Sequence, residues 1–335
     1  MRFADLTTFH IGGEIKELVD GSSEEIILRT LSDSNNVQVI GGGSNILASD
    51  APHSGVVLQI NTEGSALDYD ACAGGLITVA AGVTWDDFVA KTVEAGFVGL
   101  ETLSGIPGRV GAAPIQNIGA YGQEFSQVVA RVRTWDRQLQ EQKTFTANQC
   151  AFGYRTSLFK HNPDRYVILD VTVQLKKGDL SLPITYAELA KSLGINEGER
   201  APLNKVRSEV LEIRARKGML LSDSDRDTWS AGSFFINPSV TAAQAGELPA
   251  SAPRWINPDG SIKLSAAWLL ENAGITKGQR HGGAAISSKH VLAITNLSGA
   301  SSDDVLALAR ECKSAVKKVF GIELIPEVQL INCQL

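Results

Sequence analysis

The chain reads as an α+β protein. Three observations carry that reading. Short apolar strands and short amphipathic helices mix through the first half. A glycine triplet, Gly41-Gly42-Gly43-Ser44-Asn45, closes one of those strands. A long apolar loop, residues 104–124, carries Gly105, Gly108, Gly111, Gly119 and Gly122 with two prolines and almost no charge. The 335 residues suffice for two or three domains, and a hydrophobic content of 43% supports a substantial core.

Taken in order, Ser22-Ser23-Glu24-Glu25 is a capping-box pattern opening a helix to about Leu31. Val37–Ile40 is a short strand, and the triplet follows it. Successive glycines at a strand end let several backbone N–H groups converge on an anion such as a phosphate or diphosphate. No Gly-Lys-Ser/Thr follows, so this is not a P-loop, and no third glycine stands at dinucleotide-fold spacing. Taken alone, the triplet is equally an ordinary strand-to-loop turn. Val56–Ile60 and Leu76–Ala80 read as strands. Thr84 then caps a helix with Trp85, Phe88, Val89 and Val93 on one face, ending at Gly96.

The 104–124 loop holds too many glycines and prolines for a helix or strand. Ile106, Val110, Ile115, Ile118 and Tyr121 make it too apolar for a solvated linker. It is either a buried structural loop or one that presses its backbone against a large flat ligand. With the upstream triplet, the pair of loops points to a dinucleotide with a diphosphate and a flat ring. Strands around 128–135 and 166–175 follow, the second alternating Val171, Val173 and Leu175.

Polar residues through 176–202 mark a domain boundary. Pro202 starts a helix with Leu203, Val206, Val210 and Ile213 on one face, ending in Arg214, Arg216 and Lys217, whose charge the helix dipole alone explains. The Ala/Ser/Pro-rich run 239–253 reads as a surface loop. A helix over about Asp303–Phe320 places Val305, Leu308, Cys312, Val316 and Val319 on one face and stops at Gly321. The last strand, Ile322–Ile331, contains Pro326, which excludes a central ladder position and suggests a bulge or edge aiming Glu327 at a site.

A net charge of −6 argues against a nucleic-acid surface. Cys72, Cys150, Cys312 and Cys333 match no zinc or redox spacing, and His10, His53, His161, His281 and His290 match no metal motif. Reduced thiols, no metal, no signal-peptide pattern and no run able to span a bilayer together predict a cytoplasmic protein without membrane insertion.

Five motifs in this order resemble the UDP-N-acetylenolpyruvoylglucosamine reductase (UDP-N-acetylmuramate dehydrogenase) family. They are Gly41-Gly42-Gly43-Ser44-Asn45; Ile106-Pro107-Gly108 through Gly119-Ala120-Tyr121-Gly122; Phe152-Gly153-Tyr154-Arg155; Ala231-Gly232-Ser233-Phe234-Phe235-Ile236-Asn237-Pro238; and Pro326-Glu327-Val328. Tyr186 looks like the substrate-loop tyrosine of the family's larger subtype. Two stretches depart from the pattern: Gly218-Met219-Leu220 stands where a Leu-Pro-like continuation is expected, and 239–253 matches nothing in it.

The resemblance implies an α+β architecture: an FAD-binding lobe of the vanillyl-alcohol-oxidase type over 1–202, with subdomains of about 1–65 and 66–202. A substrate-binding domain over 203–321 follows, then a C-terminal strand, 322–335, returning to the active site. It implies non-covalent FAD, NADPH as reductant, and UDP-N-acetylglucosamine enolpyruvate as substrate in peptidoglycan precursor synthesis. By resemblance, FAD falls to Gly41, Gly42, Gly43, Ser44, Asn45, Ile106, Pro107, Gly108, Gly111, Ala112, Gln116, Asn117, Gly119, Tyr121 and Arg214. The UDP-sugar falls to Tyr186, Lys217, Asn237 and Lys263.

Ser233 matches the family's proton-donating serine, Arg155 suits the substrate carboxylate, and Glu327 suits a hydrogen-bonding partner with a raised pKa. Structural readings stand beside these: a turn cap for Ser233, a loop ion pair for Arg155, a solvated edge residue for Glu327. Two rival functions remain. An FAD oxidase of the same superfamily would often carry a flavin-linking histidine, and His10 precedes Gly12-Gly13. A non-catalytic nucleotide-sugar sensor would have no need of Ser233.

Overall fold

The computed structural model describes residues 1–70 and 74–335; Cys72, expected as a reduced thiol, lies outside the described residues. The chain divides into two compact units. One comprises Lys16–Gly42 and Ser54–Arg216; the other comprises Met1–Ile15, Gly43–His53 and Lys217–Leu335. Both are discontinuous, whereas the sequence reading takes continuous segments.

The first unit is built on an antiparallel sheet. Strands Glu141–Thr146, Val129–Asp136, Tyr166–Lys177, Gly74–Ala80 and Ser65–Asp70 pair in that order, and Phe97–Val98 joins the end of Tyr166–Lys177. The alternation read in the sequence sets the register: Val171 lies opposite Val79 on one side and Val132 on the other. A smaller sheet orders Ile15–Gly21, His53–Ile60 and Val37–Ile40, the last two parallel. Helix Trp85–Glu94 buries Trp85, Phe88, Val89 and Val93, the face its periodicity predicts. Trp85 donates its indole N–H to the Leu103 carbonyl at 3.0 Å. Its ring meets Phe125 edge-on, and Phe125 meets Phe152 the same way. Each fully buried aromatic contributes about 1.5–3 kcal/mol. This row therefore anchors both ends of the 104–124 loop and the start of Phe152–Arg155 to one core.

The 176–202 stretch is not a boundary. Helix Leu203–Arg216 buries Leu203, Val206, Val210 and Ile213, and the last three share an apolar cluster with Ile184, Leu189, Ala190 and Leu193. That shared burial keeps 178–216 in the first unit, and the break falls after Arg216.

In the second unit, helix Ser302–Phe320 is capped by Ser301 and buries Val305, Leu308, Ala309, Cys312 and Val316. Val319, expected on this stripe, is 54% exposed, and in the last turn Phe320 packs against the core instead. A small sheet of Arg280–His281, Ala284–Ile286 and Ile294–Asn296 packs against this helix, and a second small sheet pairs Ser239–Val240, Ile262–Leu264 and Arg254–Ile256. Residues 239–253 are not a plain surface loop. They start in a strand, form helix Ala242–Gly246 capped by Thr241, and bury Val240, Ala245, Leu248 and Ala252 in the core. The C-terminal strand is shorter than read, Gln329–Ile331, and runs parallel to Ile46–Ala48. That pairing is why 43–53 belongs with the C-terminal residues rather than with the strand it follows. No helix of the described residues is long and apolar enough to cross a membrane.

Buried His53 accepts from the Asn332 amide through Nδ1 at 2.9 Å and meets Phe3 edge-on. Burial holds its pKa below the ordinary 6.5. The unfolded chain thus takes up a proton before the folded one does, and stability is lost as pH falls through the unfolded value. Thermal melting should therefore drop on going from neutral to mildly acidic buffer, and drop less in His53→Gln. An equal drop in both would remove His53 as the cause.

Candidate active site

In the first unit the two glycine-rich segments lie backbone against backbone. A Cβ on Gly42 would stand 3.0 Å from the Gly108 Cα, and one on Gly41 would stand 3.4 Å from the Arg109 side chain. A side chain at 42 would force the Gly108 backbone to give way, so Gly42 and Gly108 meet as bare backbone, with the Arg109 side chain beside Gly41. Such a surface admits a diphosphate and a flat ring at backbone distance, and the residues present fit FAD. The loop is tied down from below. Trp85 N–H donates to the Gly108 carbonyl (3.0 Å), Val110 N–H to Val83 (2.9 Å) and Gly111 N–H to Ala81 (2.8 Å). Arg109 donates to the Thr84 hydroxyl at 2.9 Å. Ala112 lies in the single turn Val110–Ala112 and is exposed, whereas Ile106 packs against the core. The cap position of helix Trp85–Glu94 is thus Thr84, but its hydroxyl serves Arg109 rather than the helix.

The second half of the loop carries Arg155. Ser157 donates to the Ile115 carbonyl at 2.5 Å, and the Asn117 amide donates to the Gly153 carbonyl at 3.0 Å. Arg155 itself donates to the Gly119 carbonyl at 2.8 Å and lies over the Tyr154 ring. Three bonds therefore staple residues 153–157 to 115–119. Asn117 is buried, and its side chain also donates to Glu124 (2.8 Å) and accepts from Ser126 N–H (2.9 Å). Its polar atoms brace the loop. Cys150, fully buried beside this motif, has its thiol pushed up to about 12 by burial and stays unionised.

Tyr121 and Tyr186 meet edge-on at 5.4 Å, and Tyr186 is 40% exposed at the start of helix Ala187–Leu193. Burial pushes the Tyr121 phenol up to about 12, against the pull of Arg214, which bonds its hydroxyl. Desolvation lowers the Arg214 pKa, opposed by Tyr121 and Asp86. Arg214 also donates to the Gly105 carbonyl at 2.9 Å. An expected flavin residue and the expected substrate tyrosine thus share one cluster.

The second unit gathers other motifs. Ser233 pairs with Ala293 in an isolated bridge and Phe235 pairs with Pro326. Phe234 N–H donates to the Leu292 carbonyl (2.7 Å), Glu327 N–H donates to the Phe234 carbonyl (2.8 Å), and Ile236 N–H donates to the Ile325 carbonyl (3.1 Å). Residues 233–236 are held from both sides, with Glu327 on the neighbouring backbone. Pro326 takes a bridge position, as its missing N–H allows. Asn45 joins them: its amide donates to the Glu327 carbonyl at 3.2 Å, and its carbonyl accepts from Gln329 N–H at 3.0 Å.

Gly43 has φ 62°, and a Cβ there would overlap the Leu6 carbonyl oxygen. The Asn237 side-chain oxygen accepts from Ala266 N–H at 2.9 Å, at the start of helix Ala266–Asn272. Lys263 lies opposite Ser239 with its ammonium 5.7 Å from the Trp255 ring centre. Lys217 is the first residue of this unit's long C-terminal segment. His10 packs against Trp229 at 4.0 Å, within the second unit. Asp86 and Ser157 were not singled out in the sequence; Ser157 caps helix Leu158–His161, a signal visible only once that helix is known.

Residues 224–331 match the C-terminal domain of UDP-N-acetylenolpyruvoylglucosamine reductases, and residues 23–138 match an FAD binding domain. The chain is 50% identical to the UDP-N-acetylenolpyruvoylglucosamine reductase of Cutibacterium acnes over 98% of this chain and 89% of that one. It is 44% identical to that of Thermobifida fusca, over 99% and 97%. A solved UDP-N-acetylenolpyruvylglucosamine reductase from Thermus caldophilus aligns with a TM-score of 0.67 at 26% identity, covering 99% of this chain and 97% of that one.

A side chain at position 42 should separate the two glycine-rich backbones. Gly42→Ala is expected to weaken FAD by about tenfold or more, measured by flavin fluorescence on titrating the apoprotein. Parent-like affinity would mean that this contact is no part of the flavin site.

Proposed function

The chain belongs to the UDP-N-acetylenolpyruvoylglucosamine reductase family, and from that premise we propose that it reduces UDP-N-acetylglucosamine enolpyruvate to UDP-N-acetylmuramate with NADPH through FAD, in peptidoglycan precursor synthesis. The observation that carries the reading is the placement of Ser233 and Glu327 on adjacent hydrogen-bonded backbones, with Asn45 bonded to Glu327. When bound, FAD supplies the two-electron relay by which the NADPH hydride reaches the terminal enolpyruvyl carbon. One hydride and one proton saturate the double bond, and NADP⁺ leaves.

Hydride addition leaves negative charge on the carbon that bears the ether oxygen, spread into its carboxylate. Arg155 receives that carboxylate: its guanidinium is charged at any working pH and can donate through two nitrogens. The staple to Gly119 and the left-handed backbone at Arg155 (φ 53°) fix where the guanidinium stands. Ser233 donates the proton to the charged carbon, and its backbone, pinned on both sides, holds the hydroxyl without reorganisation. Glu327 completes the stabilisation by a hydrogen bond, which it can donate only while protonated. Tyr186, Lys217, Asn237 and Lys263 orient the UDP-sugar, the lysines as point charges toward the diphosphate. The flavin is held without a covalent link, and denaturation should release it.

The first half-reaction needs none of the three proposed catalytic residues. In Ser233→Ala, flavin bleaching by NADPH should keep its parent rate within about threefold, while reoxidation by the enolpyruvyl sugar slows about a thousandfold. Glu327→Gln should slow the same step by about a hundredfold. Rapid-mixing absorbance separates the two steps. Parent-like reoxidation in Ser233→Ala would remove the proton-donor assignment, and a slowed first half-reaction would show a general loss of the site instead.

A further inference from the structure

We propose that Asp86 is a positioning residue for the flavin: it fixes the entrance of the 104–124 loop through Gly105 and holds Arg207, on the helix whose Arg214 grips that loop. The inference rests on the reading of 104–124 as the flavin loop. Asp86 stands in the first turn of helix Trp85–Glu94. One carboxylate oxygen accepts from Gly105 N–H at 2.6 Å and from Arg207 Nη1 at 2.6 Å; the other accepts from Arg207 Nη2 at 2.8 Å. The Gly105 carbonyl accepts in turn from Arg214. Both polar backbone atoms of this glycine are thus held by charged side chains.

Arg207 and Arg214 are seven residues apart on helix Leu203–Arg216, two turns along the same face. Arg207 grips the loop through Asp86. Arg214 grips it directly at Gly105 and again at the Tyr121 hydroxyl, near the loop's far end. One helix therefore holds the loop at both ends, and Asp86 is the anion set against the two cations. The bidentate pair is sheltered, with side chains 19% and 31% exposed, so water screens it less than a surface pair. Removing the charge while keeping the shape leaves Gly105 an acceptor but leaves Arg207 without its charged fork partner. The loop entrance then moves, and the flavin cradle moves with it.

The test strips the full-length protein of FAD and titrates it back, following flavin fluorescence and the visible absorbance of the bound flavin. Asp86→Asn and Arg207→Met are each expected to weaken FAD by about tenfold and to shift the flavin band. The double variant should bind no more weakly than the weaker single, since both remove one clamp. Arg207→Lys, which keeps the charge and loses the fork, should recover part of the affinity. Affinities within about twofold of the parent, or losses that multiply in the double variant, would overturn the proposal.

Melting of the apoproteins separates a merely structural ion pair. A lowered apoprotein melting point with parent-like FAD affinity overturns the positioning role. Should Asp86→Asn fail to fold, Arg207→Lys decides alone: weakened FAD in a folded protein supports the clamp, and parent-like FAD overturns it. A parent protein that takes up no FAD would remove the flavin reading, and this proposal with it, a result distinct from any variant effect.

Discussion

The contact on which the first unit depends is the approach of Gly42 to Gly108, two backbones with no side chain between them. A methyl group at 42 already crowds it. The rest of that unit's site serves to keep this contact in place. Trp85, Val83 and Ala81 bind the 108–111 backbone from one side, Asp86 and Arg214 fix its entrance, and Asn117, Ser157 and Arg155 fix its exit. A long glycine-rich loop has a large conformational entropy to lose. Here much of that loss is taken on folding, so a ligand meets a surface already ordered, which favours tight binding.

The second unit obeys a different constraint. Residues 233–236 are short, partly apolar and bonded on both edges, so Ser233 cannot shift without breaking backbone hydrogen bonds on two sides. Its neighbours Phe234 and Phe235 are fully buried, which adds a core anchor directly beside a polar group. A serine hydroxyl is a weak acid, and a fixed position is what the proposed proton transfer asks of it. The three residues proposed here for the site in this unit, Asn45, Ser233 and Glu327, come from chain positions nearly 300 residues apart, yet they lie on neighbouring backbones.

Much of this was legible in the sequence, and the physical reasons are specific. The helix faces at Trp85–Val93 and Leu203–Ile213 follow from periodicity, because burial of one stripe decides a helix. The glycine motifs were legible because few residues other than glycine permit such close backbone approach. Pro326 announced a ladder break, and it sits in an isolated bridge. What failed was non-local. The pairing of Ile46–Ala48 with Gln329–Ile331 assigns 43–53 to the C-terminal unit, and no local pattern encodes a partner so distant. The 239–253 run looked solvated because alanine, serine and proline dominate it, yet Val240, Leu248 and two alanines suffice to seat it in the core. The Asp86–Arg207 pair, 121 residues apart, reads in sequence as two ordinary surface charges on two helices.

Hydrogen exchange read by mass spectrometry, on the apoprotein and on the same protein with FAD restored, reports whether the paired glycine-rich backbones form the flavin site. The account predicts that FAD slows exchange most strongly in peptides covering 41–45 and 104–122, the two glycine-rich segments. Protection concentrated elsewhere, with these two segments unchanged, would contradict it.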